Sequence, residues 1–231
     1  MDLESLRSRV AHVQSQIEQA CLNAGRDPST VTLLPVSKTF DAHAIRLMVE
    51  LGFQRFGENR LQEIAQKAPE LVDCNVQWVV IGHVQTNKAK EVAKYAAELQ
   101  SLDRLELAQA LHKRLSALGR KLDVLVQVKT STEDTKSGVS PEELVDFLRE
   151  LNRFPSLQVR GLMTMAVLSD DRQAVRACFG LLRQCQETAL AAKIPGISLS
   201  RLSMGMSGDL AIAIEEGSTE VRVGTAIFGK R

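Results

Sequence analysis

The sequence predicts a (β/α)8 barrel with one additional helix at its N-terminus. Three observations carry this. Short apolar segments alternate with helical ones along the chain, and such alternation implies parallel pairing, because a helix must return the chain to the same end of the sheet. Eight of these units fit in roughly 200 residues, the size of one barrel. Polar clusters fall just after the apolar segments, where a barrel gathers its chemistry. An open doubly wound sheet is the alternative architecture.

Leu3, Leu6, Val10, Val13, Ile17 and Ala20 recur at helical spacing, with Asp2 as N-cap and Gly25 as stop. Val31 to Val36 then reads as a buried strand. A helix near 42–51 ends at Gly52, and a short strand near 53–56 ends at Gly57. A helix near 59–71 leads to the strand VQWVVI at 76–81, closed by Gly82. A helix at about 87–97 precedes a short strand at about 98–102. The helix 104–118 carries Leu107, Leu111, Leu115 and Leu118 and stops at Gly119. The strand LDVLVQV spans 122–128. Ser140, Pro141 and Glu143 predict a capping box, with serine accepting from the amide three residues on and glutamate reaching back. A strand at 157–163, a helix near 170–192, a strand at 197–202, a helix near 208–216 and a strand at 219–223 complete the series. No linker or repeat divides the chain, so residues 1–231 are expected to form a single domain.

Composition narrows the function. Hydrophobic residues make up 44% and charged ones 25%, with a formal net charge of +1. That is an ordinary globular balance, without the basic footprint of a nucleic-acid binder. The N-terminus lacks the apolar core of a signal peptide, and no apolar run approaches membrane-spanning length. A cytoplasmic protein is expected. Cys21, Cys74, Cys178 and Cys185 match neither a zinc site nor a disulfide framework, and His12, His43, His83 and His112 are scattered.

The polar residues after the strands include Ser37 and Lys38, Glu58 and Asn59, His83, Ser203 to Ser207, and Gly224 with Thr225. Lys38, in VTLLPVSKTF, ends a buried strand. Either it snorkels to water from the barrel mouth, or its amine is held poorly hydrated, as a nucleophile able to form an imine with an aldehyde. One strand does not choose between these. LSRLSMGMSGD (199–209) and TEVRVGTAIFGKR (219–231) place small, hydroxyl-bearing loops after the last two strands. Such loops either cradle a phosphate with amides and hydroxyls or are plain glycine turns. Gly224 to Lys230 reads G-x-x-x-x-G-K, but Arg231 stands where a nucleotide loop needs Ser or Thr, and no following residues form its helix. A lysine and a phosphate cradle at one mouth suggest pyridoxal 5'-phosphate, an aldehyde that carries a phosphate.

The segments LLPVSKTF, RFGENRLQE, WVVIGHVQTNK, SLDR, VLVQVKTSTEDTKSG, VRGLMTMA and LSMGMSGDLAIAIEEGSTEVRVGTAIFG run in order from 33 to 229. With them the chain closely resembles the pyridoxal phosphate homeostasis proteins. The resemblance implies the barrel of alanine racemase's N-terminal domain, fold type III of the pyridoxal phosphate proteins. By motif it implies that Lys38 forms the Schiff base and that Asn59 lies near the cofactor ring. It implies that Ser203, Gly224 and Thr225 hold the phosphate and that Arg222 faces the pyridine nitrogen, with His83 and Met204 lining the pocket. Two departures are expected at the pocket edge. Val79 follows Trp78 where the family often has histidine, His83 standing after the glycine instead, and Gln100 replaces a histidine before SLDR.

A cation facing the pyridine nitrogen disfavours its protonation and so weakens the ring as an electron sink. Racemization needs an acid and a base on opposite faces of the substrate. Tyr95 is the one tyrosine, and it falls on a helix away from the strand ends. The favoured expectation is therefore a cofactor carrier without robust turnover, monomeric or weakly dimeric, that passes pyridoxal phosphate to apoenzymes. The alternative is an enzyme with an unrecognised amino acid substrate. Lys136, in the polar loop TSTEDTKSG, reads either as a solvated lysine or as a second, transient cofactor contact.

Overall fold

The computed structural model describes residues 1–131 and 137–229; the Lys136 expectation lies outside them. Its strands are β1 (Thr32–Pro35), β2 (Arg55–Glu58), β3 (Gln77–Val80), β4 (Ala96–Leu102), β5 (Leu122–Gln127), β6 (Leu157–Met163), β7 (Arg201–Ser203) and β8 (Glu220–Val223). They form one parallel sheet of order β1-β8-β7-β6-β5-β4-β3-β2. A parallel bridge between Val36 and Gly57, with Ser37 N–H donating to the Gly57 carbonyl at 3.0 Å, closes β1 onto β2. The expected barrel is what the chain forms, and the open-sheet alternative falls away.

That seam is short for a chemical reason. In β1 the amides of Thr32 and Val36 point to β8, so the intervening odd positions point to β2. One of those is Pro35, which has no N–H to give.

Around the sheet run α1 (Leu3–Asn23), α2 (Ala42–Glu50), α3 (Leu61–Lys67), α4 (Ala89–Tyr95), α5 (Leu105–Ala117), α6 (Leu144–Leu151), α7 (Arg172–Ala191), α8 (Leu210–Glu215) and α9 (Thr225–Phe228). The additional helix α1 is capped by Asp2, which accepts from Ser5 N–H at 2.9 Å. It buries Leu6, Val10, Val13 and Ile17 and packs against α8 and α9. None of the described helices is long and apolar enough to cross a membrane.

Several boundaries differ from expectation. Gly57 lies inside β2 rather than ending it: a Cβ there would come within 3.2–3.5 Å of Val36, Ile81 and Leu34, so this glycine serves close packing at the seam. β4 takes in Ala96, and β7 keeps only three residues after the turn at Gly196 (φ +75°). The helix expected over 59–71 breaks into α3 and a 3-10 segment, Ala68–Cys74, kinked at Leu71. Ser140 Oγ donates to the Glu143 carboxylate at 2.7 Å, and the Glu143 amide bonds the Ser140 carbonyl instead, so α6 begins only at Leu144 without the reciprocal box. One helical turn, α9, follows β8 unforeseen, starting inside the glycine motif.

The strands approach closely where glycine permits. A Cβ on Gly161 of β6 would sit 2.0 Å from the Arg201 carbonyl of β7. The obstacle is backbone, so Gly161→Ala should destabilise by about 2 kcal/mol, read as a lowered urea midpoint.

Candidate functional site

A cavity of about 720 Å³ opens at the C-terminal ends of the strands. Lys38, Asn59, His83, Arg222, Gly224 and Thr225 all line it, although they come from the ends of four different strands.

Lys38 stands on a turn two residues past the Val36 bridge. Its side chain is exposed at the mouth, and no described group pairs with its ammonium. Of the two readings of Lys38, the water-exposed one describes its side chain here, because the strand has ended and the pleat no longer carries the side chain into the wall. Ser37, by contrast, is fully buried. Asn59 lies on the wall beyond β2. Its carbonyl would sit 2.2 Å from a Cβ on Gly82, so only glycine lets β3 pass there. His83 is half-exposed, its Nδ1 3.4 Å from Ser137 Oγ and 3.6 Å from the Asp103 carboxylate.

Arg222 reaches the cavity from below and is buried, donating at 2.8 Å to Ser203 Oγ and at 2.8 Å to the Thr164 carbonyl. Burial pushes its guanidinium down to about 10, with Glu220 and Asp209 opposing. It remains a cation at neutral pH.

Ser203 and Met204 do not reach the cavity wall. Ser203 is fully buried beneath it, with its hydroxyl 2.7 Å from Gln100 Oε1 and accepting from Arg222. Its one proton is used internally. Met204, one residue on, points to the other face of the strand and is buried among the outer helices. The chain then turns at Gly205 (φ +96°), where a Cβ would lie 2.6 Å from Ala213 Cβ. Only after that turn do Ser207 and Gly208 enter the wall, facing the same cavity as Gly224 and Thr225. Asp209 fixes this loop by accepting from the Met206 amide at 2.5 Å. Burial raises its carboxyl, while that hydrogen bond and Arg222 lower it.

Three arrangements escaped the sequence reading, which named Ser37, Glu58 and Gln100 only singly. Gln127 lines the cavity and donates to the Ser137 carbonyl at 2.8 Å. Arg55, Glu98, Arg201 and Glu220 pair across the barrel interior at 2.7–3.1 Å, between strands that are mostly not neighbours. Gln100 joins this layer to Ser203, donating to Glu98 at 2.7 Å and to Glu220 at 2.5 Å. Val79 and Gln100 are fully buried, so the two departures expected at the pocket edge lie within the barrel wall and interior. The third group is a buried cluster of Ser37, Glu58 and Lys67 under the Lys38 turn. The visible signal was a charged or amide residue at every second position of otherwise apolar strands, as in Glu98 and Gln100, or Glu220 and Arg222.

Tyr95 closes α4 directly before β4, at the opposite end of the barrel from the cavity, and its hydroxyl accepts from Lys94 at 2.9 Å.

Residues 2–231 match the family model for the N-terminal domain of alanine racemase. A pyridoxal phosphate homeostasis protein of Pseudomonas aeruginosa is 41% identical over 99% of this chain and 97% of its own. PipY of Synechococcus elongatus PCC7942, whose structure is described with PLP bound, shares 34% identity at a TM-score of 0.83, covering 97% of this chain and 100% of its own. Alanine racemase of Clostridium difficile 630 shares the fold alone, at 16% identity and a TM-score of 0.77 over 99% of this chain and 57% of its own. On this likeness over nearly its whole length, the chain belongs to the pyridoxal phosphate homeostasis protein family.

Proposed function

We propose that this chain binds pyridoxal 5'-phosphate as a Schiff base on Lys38 and serves cofactor homeostasis as a carrier, without robust racemase or transaminase turnover. One observation carries the reading. A lysine amine and two hydroxyl-bearing glycine loops share one cavity, with a buried arginine at its floor. The residues fit the group. The volume suits a small cofactor, and a Cβ on Gly224 would come within 3.1 Å of the Val36 carbonyl, so the bare backbone keeps the cradle open.

When bound, pyridoxal phosphate supplies an aldehyde. Lys38 would hold the cofactor through its side-chain amine, a nucleophile of the kind that condenses with an aldehyde with loss of water. Exposure at the mouth gives the amine water to exchange its proton with. Ser207, Gly208, Gly224 and Thr225 offer hydroxyls and amides to the phosphate, a role assigned to Ser207 and Gly208 in place of the buried Ser203. Arg222, fixed by Ser203 and Thr164, keeps positive charge at the floor, which disfavours a protonated pyridine nitrogen. Asn59 and His83 bound the ring side.

Relatives named for homeostasis of the cofactor support a binding role rather than turnover. Tyr95, remote from the cavity, offers no second acid–base face. Four free cysteines suit a reducing cytoplasm. We assign the chain there as a single-domain monomer that exchanges cofactor with apoenzymes.

Titrating the purified protein with pyridoxal phosphate should produce an imine absorption band, and a panel of amino acids should show no robust racemization or transamination. Absence of the band, or robust turnover, overturns the reading. Thr225→Val should weaken pyridoxal phosphate by about tenfold, the loss of one hydrogen bond to a charged group, and leave unphosphorylated pyridoxal unaffected. Equal effects on both ligands would place the phosphate elsewhere.

A further inference from the structure

Lys38 swings from a backbone whose polar groups are tied on both sides. Ser37 N–H donates to the Gly57 carbonyl at 3.0 Å, and the Ser37 carbonyl accepts from Lys67 Nζ at 3.0 Å and from Phe40 N–H at 3.1 Å. The Lys38 carbonyl accepts from Thr39 Oγ1, and Thr39 N–H donates to the Glu63 carboxylate, both at 2.5 Å. Thr39 holds φ +70°, a region costly for a β-branched residue unless its surroundings impose it.

The ties converge on one buried amine. Lys67, on the last turn of α3, is 7% exposed and lies 2.7 Å from Glu58 Oε1 and 3.3 Å from Glu63 Oε2. Glu58 is fully buried and accepts from Ser37 Oγ on the same oxygen at 2.7 Å, while its Oε2 has no hydrogen-bond partner among the described residues. Burial raises the Glu58 carboxyl against the pull of Lys67 and Ser37.

Stability does not explain this arrangement. A buried ion pair is often matched by well-packed apolar residues, and an orphaned buried oxygen is a cost. What the cluster does achieve is geometric. It grips the residues before and after Lys38 through Ser37 Oγ, the Ser37 carbonyl and Thr39 N–H.

We propose that Lys67, acting with Glu58 and Glu63, is a positioning residue: it fixes the 37–39 turn so that the Lys38 amine is presented to the aldehyde of a ligand in the cavity. The inference rests on the reading of Lys38 as the imine-forming amine. It predicts that the cluster matters for imine formation and not for holding the ring and phosphate.

Pyridoxine 5'-phosphate, an alcohol with the same ring and phosphate, separates the two. In the full chain, Lys67→Met leaves buried Glu58 without its cation and should lower the thermal midpoint, while the folded protein keeps its affinity for pyridoxine 5'-phosphate within about twofold. It should weaken the imine band with pyridoxal phosphate, and its borohydride trapping on Lys38, on the order of tenfold to a hundredfold, the scale of a small misplacement. Lys67→Arg, which retains the cation and its donors, should recover part of the loss. If Lys67→Met does not fold, Glu63→Gln gives the reading: a selective loss for the aldehyde supports the proposal, and an unchanged ratio of the two affinities overturns it. Equal weakening of both ligands by Lys67→Met also overturns it, as a merely structural role. The wild-type protein is the control for the underlying reading. With no band, or with borohydride label away from Lys38, that reading fails; with band and label present but insensitive to the cluster, only the positioning role fails.

Discussion

Lys38→Ala is expected to abolish the imine absorption band and the borohydride-stable adduct altogether, while leaving the fold intact. The side chain is exposed, and its ammonium has no partner among the described residues, so nothing in the core depends on it. A surface truncation of this kind stays within about 0.5 kcal/mol of wild-type stability. The chemical effect is total because among the described residues no other lysine lines the cavity. Lys67, the other lysine near the turn, is buried and committed to Glu58, Glu63 and the Ser37 carbonyl. Ring and phosphate contacts survive, so Lys38→Ala should still bind pyridoxine 5'-phosphate. Lys38→Arg should behave as Lys38→Ala toward the aldehyde, because a guanidinium stays protonated. Mass mapping after borohydride reduction checks both. A residual adduct on Lys38→Ala at a different lysine, with wild-type yield, would move the site.

The barrel itself was legible because its signal is repetitive. Apolar strands, helical spacing and turn glycines each recur, and errors at one boundary do not disturb the count. The position of Lys38, Asn59 and Thr225 at one mouth followed from the same regularity, since parallel strands deliver what comes after them to one end. What escaped depends on which way a side chain points and how a loop turns. Ser203 and Met204 are adjacent in sequence, yet one enters the barrel interior and the other the outer core, and the residues facing the cavity come three positions later, past Gly205. The exposure of Lys38 stayed open because the apolar run reaches it; the strand stops at Pro35 and the turn lifts it out. Lys67 and Glu58 are nine residues apart on different elements. Their pairing across the helix–strand packing has no local signature at all.

Glu220→Ala is expected to be the most destabilising change in the barrel interior, by about 3–5 kcal/mol at neutral pH, as for removal of one partner from a buried ion pair. The Glu220 carboxylate is 1% exposed and takes charge-assisted bonds from Arg55 at 2.9 Å and Arg201 at 2.7 Å. Without it two guanidinium groups face Glu98 alone, and the Gln100 amide loses an acceptor. Burial works to raise the Glu220 carboxyl, but Arg201, Arg55 and Gln100 outweigh it and hold it below its ordinary value of 4.5. With the folded value depressed, the unfolded chain binds more protons in that range. The Glu220 contribution is therefore complete above the ordinary value and is lost as pH falls through 4.5 toward the folded value. The difference between wild type and Glu220→Gln, measured by urea unfolding across this range, should shrink as pH falls. A pH-independent difference, or a Glu220→Ala cost under about 1 kcal/mol, the scale of an exposed pair, would mean that the four charges act as a solvated rim. The effect also reaches the mouth. Glu220 bonds Gln100, Gln100 bonds Ser203, and Ser203 accepts from Arg222 at the cavity floor. The milder Glu220→Gln should accordingly shift pyridoxine 5'-phosphate affinity as well as stability.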